Sequence, residues 1–124
     1  MYKAELVSCE RDLTRKECVL IKDMSDVLSI DELTKDGDLI IDVDYTAKIK
    51  IHNDKIEGDV KEYTKMVFVD KNGDRYVSGS ESLMRSYEDI YEEMNGSDEV
   101  WSIKVIRKES KNYKGGTFLT CVIV

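Results

Sequence analysis

Proline is absent from this 124-residue chain, histidine and tryptophan occur once each, and no apolar run exceeds four residues. Without proline there is no stiff, proline-rich linker, and no low-complexity tract or internal repeat is present. Four apolar residues fall far short of a membrane-spanning segment. The N-terminus lacks an apolar signal region, so a cytoplasmic setting is expected. Cys9, Cys18 and Cys121 are odd in number and lack C-x-x-C spacing, which argues against a disulfide framework and against zinc. They are expected to be reduced thiols behaving as small hydrophobic side chains.

Catalytic signatures are missing too. There is no G-x-S-x-G, no phosphate-binding Walker loop, no H-E-x-x-H and no dinucleotide fingerprint. A Cys–His pair would need a thiol beside His52, which falls on the polar face of a predicted strand. Asp42 and Asp44 share that face about 7 Å apart. Metal binding or acid–base chemistry could use that spacing, but beside Lys48 and Lys50 a solvated surface accounts for it more simply. Asp70-Lys71-Asn72-Gly73-Asp74 opens like an EF-hand loop but lacks the glutamate at the twelfth position and the flanking helices. A hairpin turn explains it better. The expectation is a protein without enzymatic activity, with no catalytic residues, no metal and no cofactor.

What the chain does have is charge, unevenly placed. Charged residues make up 36% and hydrophobic residues 41%, which fits one globular domain spanning 1–124 with a modest core. The formal net charge is −7. From Trp101 to Val124 the sign reverses: Lys104, Arg107, Lys108, Lys111 and Lys114 face only Glu109. That segment carries +4, and residues 1–100, with 14 basic and 25 acidic side chains, carry −11. An acidic chain ordinarily disfavours nucleic acid, because phosphate neutralisation supplies most of the affinity. An acidic body can nevertheless carry one basic face.

Hydrophobic periodicity places the elements. Residues 2–9 alternate weakly and read as a strand. Cys18–Ile21 is a second short apolar run, joined to the first by a charged loop or hairpin connection over 10–16. Ser29-Ile30-Asp31-Glu32 is a capping-box pattern for a short helix or turn. Residues 39–52 give the clearest strand, with Ile41, Val43, Tyr45, Ala47, Ile49 and Ile51 on one face. Its length suggests a curved strand shared between two parts of a barrel. Residues 53–62 are polar and acidic and read as a loop. Tyr63–Val69 and Arg75–Val77 flank Asn72-Gly73 as a hairpin whose central residues both need positive φ. Ser78 and Glu81 form a capping box for the one substantial helix, whose apolar stripe is Leu83, Met84, Tyr87, Ile90, Tyr91 and Met94 and which ends at Asn95-Gly96. Strands over about 100–106 and 117–124 follow, joined by a loop over 107–116. The fold class is mainly β (α+β): an antiparallel OB-like barrel or curved sheet with one amphipathic helix at about 79–94. A general α+β sheet with a helix on one face is the rival arrangement.

Within the basic segment, a hairpin puts Lys104 and Ile106 on one face and Ile103, Val105 and Arg107 on the other. Lys108, Lys111 and Lys114 fall in a connection rich in Ser, Asn and Gly that can wrap phosphates, and Tyr113 at its centre can stack on a base. Trp101 and Phe118 interleave with these cations, and Lys48 and Lys50 extend the basic track. The candidate nucleic-acid-binding residues are therefore Lys48, Lys50, Trp101, Lys104, Arg107, Lys108, Lys111, Tyr113 and Lys114. An ordinary lysine-rich hairpin is the plain alternative. Glu88, Asp89, Glu92 and Glu93 make an acidic helix face that could dock a basic protein. Open strand edges and an apolar last strand allow a homodimer.

Residues 70–82, Asp70-Lys71-Asn72-Gly73-Asp74-Arg75-Tyr76-Val77-Ser78-Gly79-Ser80-Glu81-Ser82, lead into an amphipathic helix. After it comes Ser110-Lys111-Asn112-Tyr113-Lys114-Gly115-Gly116-Thr117-Phe118-Leu119-Thr120-Cys121. This combination resembles small single-stranded-DNA-binding proteins of phages and mobile elements in Gram-positive bacteria. The resemblance covers much of the chain and is sharpest over 66–124. It implies an OB-like fold, no catalysis, and sequence-tolerant protection of single strands during replication. The chain departs from many bacterial single-strand binders in lacking their acidic tail, since the sequence given closes on Cys121-Val122-Ile123-Val124. The alternative function is an acidic protein-interaction module or a phage-encoded inhibitor that binds a host protein.

Overall fold

The period-two segments become strands, and three Ser or Thr side chains start the helices. The computed structural model describes residues 2–56, 59–110 and 116–124. Its elements are β1 (Tyr2–Cys9), α1 (Arg15–Lys22), β2 (Leu28–Ser29), α2 (Ile30–Leu33), β3 (Leu39–Ile41), β4 (Val43–Ile56), β5 (Asp59–Asp70), β6 (Arg75–Ser78), α3 (Glu81–Met94), β7 (Ile103–Glu109) and β8 (Thr117–Ile123). Strand exceeds helix, 45% against 24%, so the fold is mainly β and of the α+β kind. The strands form a five-stranded sheet, β1-β4-β5-β6-β2, and a three-stranded sheet, β3-β7-β8. Among the described residues neither closes into a barrel.

Two compact units result, Met1–Leu28 with Asp44–Gly79, and Ser29–Val43 with Ser80–Val124. The chain passes between them three times without any stretch of linker-like composition.

In the first unit the strict alternation of β4 does what the sequence requires. Tyr45, Ala47, Ile49 and Ile51 are buried together with Ile21, Val67, Val69 and Val77. β1 runs antiparallel to β4, placing Ala4 opposite Ile51 and Leu6 opposite Ile49. The register slips between Leu6 and Ser8, so Val7 bulges out and is exposed. The 39–52 segment is not one strand. It breaks at Asp42, whose carboxylate accepts a hydrogen bond from Ser102 Oγ at 3.1 Å, and its two parts join different sheets. Periodicity is blind to a change of partner strand.

Three further expectations are corrected. Cys18–Ile21 lies in helix α1, not in a strand. The deciding signal is Thr14-Arg15-Lys16-Glu17, a capping box: Thr14 Oγ1 accepts from Glu17 N at 3.1 Å, and Glu17 Oε1 accepts from Thr14 N at 3.0 Å. At its other end, Arg75 Nη1 donates to the carbonyls of Leu20 and Asp23 and satisfies the exposed C-terminal oxygens of the helix. Residues 53–62 do not form a long loop, because β4 continues to Ile56 and β5 begins at Asp59. Opposite charges bridge these polar strands: Glu62 lies 3.2 Å from Lys50 and 2.9 Å from His52 Nδ1. In the Asn72-Gly73 turn only Gly73 has positive φ, +89°. Asp70 N donates to Asp74 O and Gly73 N to Asp70 O, giving a three-residue loop with Gly73 at the left-handed position. The Asp70 carboxylate accepts from Asn72 N and Asp74 N, both at 2.9 Å, and is thus consumed in shaping the turn.

In the second unit β7 pairs antiparallel with β3 and β8. Ile41, Ile103, Val105, Leu119 and Cys121 are buried on one side of this sheet, as are Leu83, Met84 and Tyr87 of α3, which packs on β8. The helix begins later than its sequence suggests: Ser80, not Ser78, is the N-cap and accepts from Leu83 N at 3.2 Å. Ser78 instead ends β6 and is buried. Two serines one turn apart reach the outer edge of β8. Ser82 Oγ donates to Leu119 O at 2.7 Å, and Ser86 Oγ accepts from Cys121 N at 3.1 Å.

Thr14→Ala should lower stability by about 1 kcal/mol through loss of the cap, and Gly73→Ala by about 1–2 kcal/mol through left-handed strain. Urea unfolding midpoints check both, and an unchanged midpoint for either contradicts the assigned role. Burial pushes the Cys121 thiol up from its ordinary range, with the Ser86 hydroxyl opposing the shift. Under mild alkaline thiol trapping Cys121 should therefore be the last of the three cysteines to react, as mass spectrometry of the peptides would report.

Candidate nucleic-acid interface

Burial of one side of the three-stranded sheet forces alternate residues to the other side. On β7 these are Lys104, Ile106 and Lys108, and on β8 Phe118, Thr120 and Val122. The register aligns them in rows: Ile40, Lys104 and Val122 across all three strands, Ile106 beside Thr120, and Lys108 beside Phe118. Ile40 is 61% exposed, Val122 40% and Phe118 38%. Lys104 and Lys108 make no ion pair among the described residues. An exposed aromatic ring thus lies directly across from a free ammonium, on a face that carries no carboxylate in these rows. The sheet extends further than expected, so Lys108 stands on a strand and not in the connecting loop.

The other sequence-derived candidates are placed differently. Arg107 points to the opposite side of β7 from Lys108. Its Nη1 donates to Thr117 Oγ1 at 2.8 Å, and its Nη2 donates to Asp31 O at 2.7 Å and Thr34 Oγ1 at 3.2 Å. Trp101 precedes β7, half-buried, with its ring 6.4 Å from that of Tyr87. Tyr87 in turn stacks on Tyr91 at 6.2 Å, so the indole belongs to an aromatic group on α3. Lys48 and Lys50 lie on β4 in the first unit, and Lys50 is paired with Glu62. Lys111, Tyr113 and Lys114 lie outside the described residues. The structure therefore brings together Lys104 and Lys108, joined by three residues that charge patterning does not single out: Ile40, Phe118 and Val122. Sequence alternation in 117–124 already contains the signal for Phe118 and Val122. Ile40 emerges only from the pairing of β3 with β7.

On the outer side of the first unit's sheet runs a chain of charges. Lys3 contacts Glu5 at 3.1 Å, Glu5 approaches His52 Nε2 at 3.5 Å, and Glu62 bridges His52 and Lys50. The hydrogen bond from Lys3 holds the Glu5 carboxyl below the usual carboxylate range, with smaller help from His52. Lys50 does the same for Glu62, again with His52 contributing. Among the described residues no group of three or more His, Cys, Asp or Glu could hold a metal ion. No helix among them is long and apolar enough to cross a membrane.

A depressed carboxylate pKa stabilises the fold above the ordinary glutamate range, and that contribution is lost as pH falls through the lowered value. Side-chain carbon NMR titration should find Glu5 and Glu62 both titrating below an ordinary glutamate. Lys50→Met should return Glu62 toward the ordinary value while Glu5, set mainly by Lys3, moves little. A Glu62 midpoint insensitive to Lys50→Met would contradict the assigned pairing.

Compared with known proteins, the chain matches no family model, no curated protein and no solved structure.

Proposed function

We propose that the outer face of β3-β7-β8 binds single-stranded nucleic acid, DNA in the first instance, without enzymatic action and with little sequence preference. The observation that carries this reading is the Lys108–Phe118 row, a lysine with no ion pair among the described residues beside an exposed ring. A base stacks on Phe118 regardless of its identity, and Lys104 and Lys108 meet the phosphates on either side. The charge reversal over 101–124 concentrates this attraction on one segment, while the acidic remainder limits indiscriminate sticking. The resemblance of residues 66–124 to single-strand binders of phages and mobile elements agrees with it, including a role in replication of such elements. The OB-like arrangement belongs to that resemblance, but this binding surface needs only a three-stranded sheet backed by a helix.

A second reading rests on α3. Glu88, Asp89, Glu92 and Glu93 run along its surface, and the last turn has no basic residue, so Glu92 and Glu93 sit where the helix dipole is already negative. A basic protein surface would relieve this repulsion, as an interaction module or an inhibitor of a host protein would require.

Fluorescence anisotropy with labelled oligo-dT should show binding that weakens as salt rises and exceeds binding to duplex. Lys104→Glu with Lys108→Glu should reduce the slope of log affinity against log salt by about 1.4, at about 0.7 for each phosphate no longer neutralised. Phe118→Ala should cost about 1–3 kcal/mol of binding with the slope unchanged. No binding at low salt sinks this reading and leaves the acidic helix face as the leading surface.

A further inference from the structure

Among the described residues Arg107 makes no ion pair. Its three hydrogen bonds go to neutral oxygens, the Asp31 carbonyl and the Thr34 and Thr117 hydroxyls. A guanidinium has five N–H donors, so two are left over, and Nε is one of them: it is buried with no hydrogen-bond partner. No carboxylate pairs with Arg107 among the described residues, and residues 111–115 contain none. A partly buried charge satisfied only by neutral oxygens is unfavourable unless an anion completes it. A buried donor left unsatisfied calls for an explanation, an ion or water nearby being one.

The surroundings of Arg107 provide room. A cleft of about 310 Å³ runs along the ends of β7 and β8 beside the segment that follows α2. Arg107, Thr117, Thr34, Gly37, Lys35 and Lys108 are among the residues that line it. The space beside Gly37 is open, since a Cβ there would meet nothing within 4 Å. Thr34 Oγ1 is already engaged, donating to Ile30 O at 2.8 Å. Thr117 Oγ1 accepts from Arg107, and its own proton is available to a ligand. Lys35 is partly neutralised by Glu32 at 3.1 Å, whereas Lys108 has no such pair among the described residues. Asp38 and Glu109 also line the cleft. Their charge opposes an anion, but Arg107, Lys35 and Lys108 outnumber them in the lining.

We propose that this cleft is a subsite for one phosphate group, held by the free Nη1 proton of Arg107 and the Thr117 hydroxyl, with the positive charge of Lys108 at its edge. Charge-assisted hydrogen bonds from a guanidinium to a phosphate oxygen are among the stronger and more directional ones. The proposal rests on the single-strand reading where the phosphate belongs to a bound strand: Lys108 then lies between the cleft and Phe118, so a phosphate in the cleft sets which base meets the ring. A free phosphate or another phosphate ester presents the same chemistry.

The test is a titration of the intact protein with inorganic phosphate, against chloride at matched ionic strength, followed by amide NMR. Saturable shifts at Thr34, Gly37 and Thr117, with millimolar affinity, are expected for phosphate alone. Lys108→Gln and Thr117→Val, both at exposed positions, should each weaken binding about fivefold or more. Arg107→Lys retains the charge but loses the fork, and should weaken phosphate more than either. Non-saturable shifts, equal shifts with chloride, or affinity indifferent to Lys108→Gln and Thr117→Val overturn the subsite. Competition between phosphate and oligo-dT assigns the phosphate to a strand. Phosphate binding without oligo-dT binding supports the subsite for a free phosphate or ester, and the single-strand reading falls alone. Oligo-dT binding without phosphate binding in the cleft sinks the subsite alone.

Discussion

Among the described residues the last strand of the three-stranded sheet has no strand beyond it, and its outward backbone groups must be satisfied some other way. Ser82 and Ser86, one helical turn apart on α3, supply that satisfaction at Leu119 O and Cys121 N. A bare edge invites pairing with other chains. Here the hydroxyls close it and at the same time lock the helix to one side of the sheet. Ser86 also donates to Leu83 O at 3.0 Å, so its hydroxyl is used as both donor and acceptor. Because α3 is held to that side, it does not itself cover the opposite face, where Lys104, Lys108 and Phe118 stand.

The first unit solves a different problem, that of keeping polar strands paired. β4 and β5 carry many charged residues that a strand ordinarily disfavours. Buried Ile49, Ile51, Val67 and Val69 anchor the strands, and Glu5, His52, Glu62, Lys3 and Lys50 interlock on the outer side. Each exposed pair is weak alone because solvent screens it. Together they keep opposite signs adjacent and like signs apart across three strands. Lys50 is therefore occupied with holding its own sheet, whereas Lys104 and Lys108, in a segment nearly free of acids, have nothing comparable to hold.

Periodicity and capping motifs make much of this structure legible from the sequence. The β4 alternation, the helix stripe of Leu83, Met84 and Tyr87, the Asn72-Gly73 turn and the short helix after Ser29 all follow from local chemistry. What stays hidden depends on partners. Asp42 breaks a strand that looks continuous because the two halves pair in different sheets, and no periodicity reports that. Residues 53–62 are polar enough to read as a loop, yet β4 continues to Ile56 and β5 begins at Asp59, with Glu62 paired to Lys50 and His52. The apolar run Cys18–Ile21 looks like a strand taken alone, although the Thr14–Glu17 capping box just before it is a local helix signal. In the candidate site the basic residues are legible, but their sidedness is not. Sorting Lys108 from Arg107 requires the extension of β7 to Glu109, and Phe118 gains meaning only when the register puts it opposite Lys108.

That register also imposes a parity on the chain. Along β7 and β8, odd and even positions face opposite sides: Ile103, Val105, Leu119 and Cys121 are buried on one, and Lys104, Lys108, Phe118 and Val122 stand on the other. A single residue inserted between Lys104 and Lys108 would exchange the sets beyond it, turning Arg107 outward and Lys108 toward the buried side. A two-residue insertion would restore the alternation. Length changes in this hairpin's strands should thus be survivable in pairs and damaging singly, a rule of arithmetic that acts on the backbone whatever the inserted side chains are.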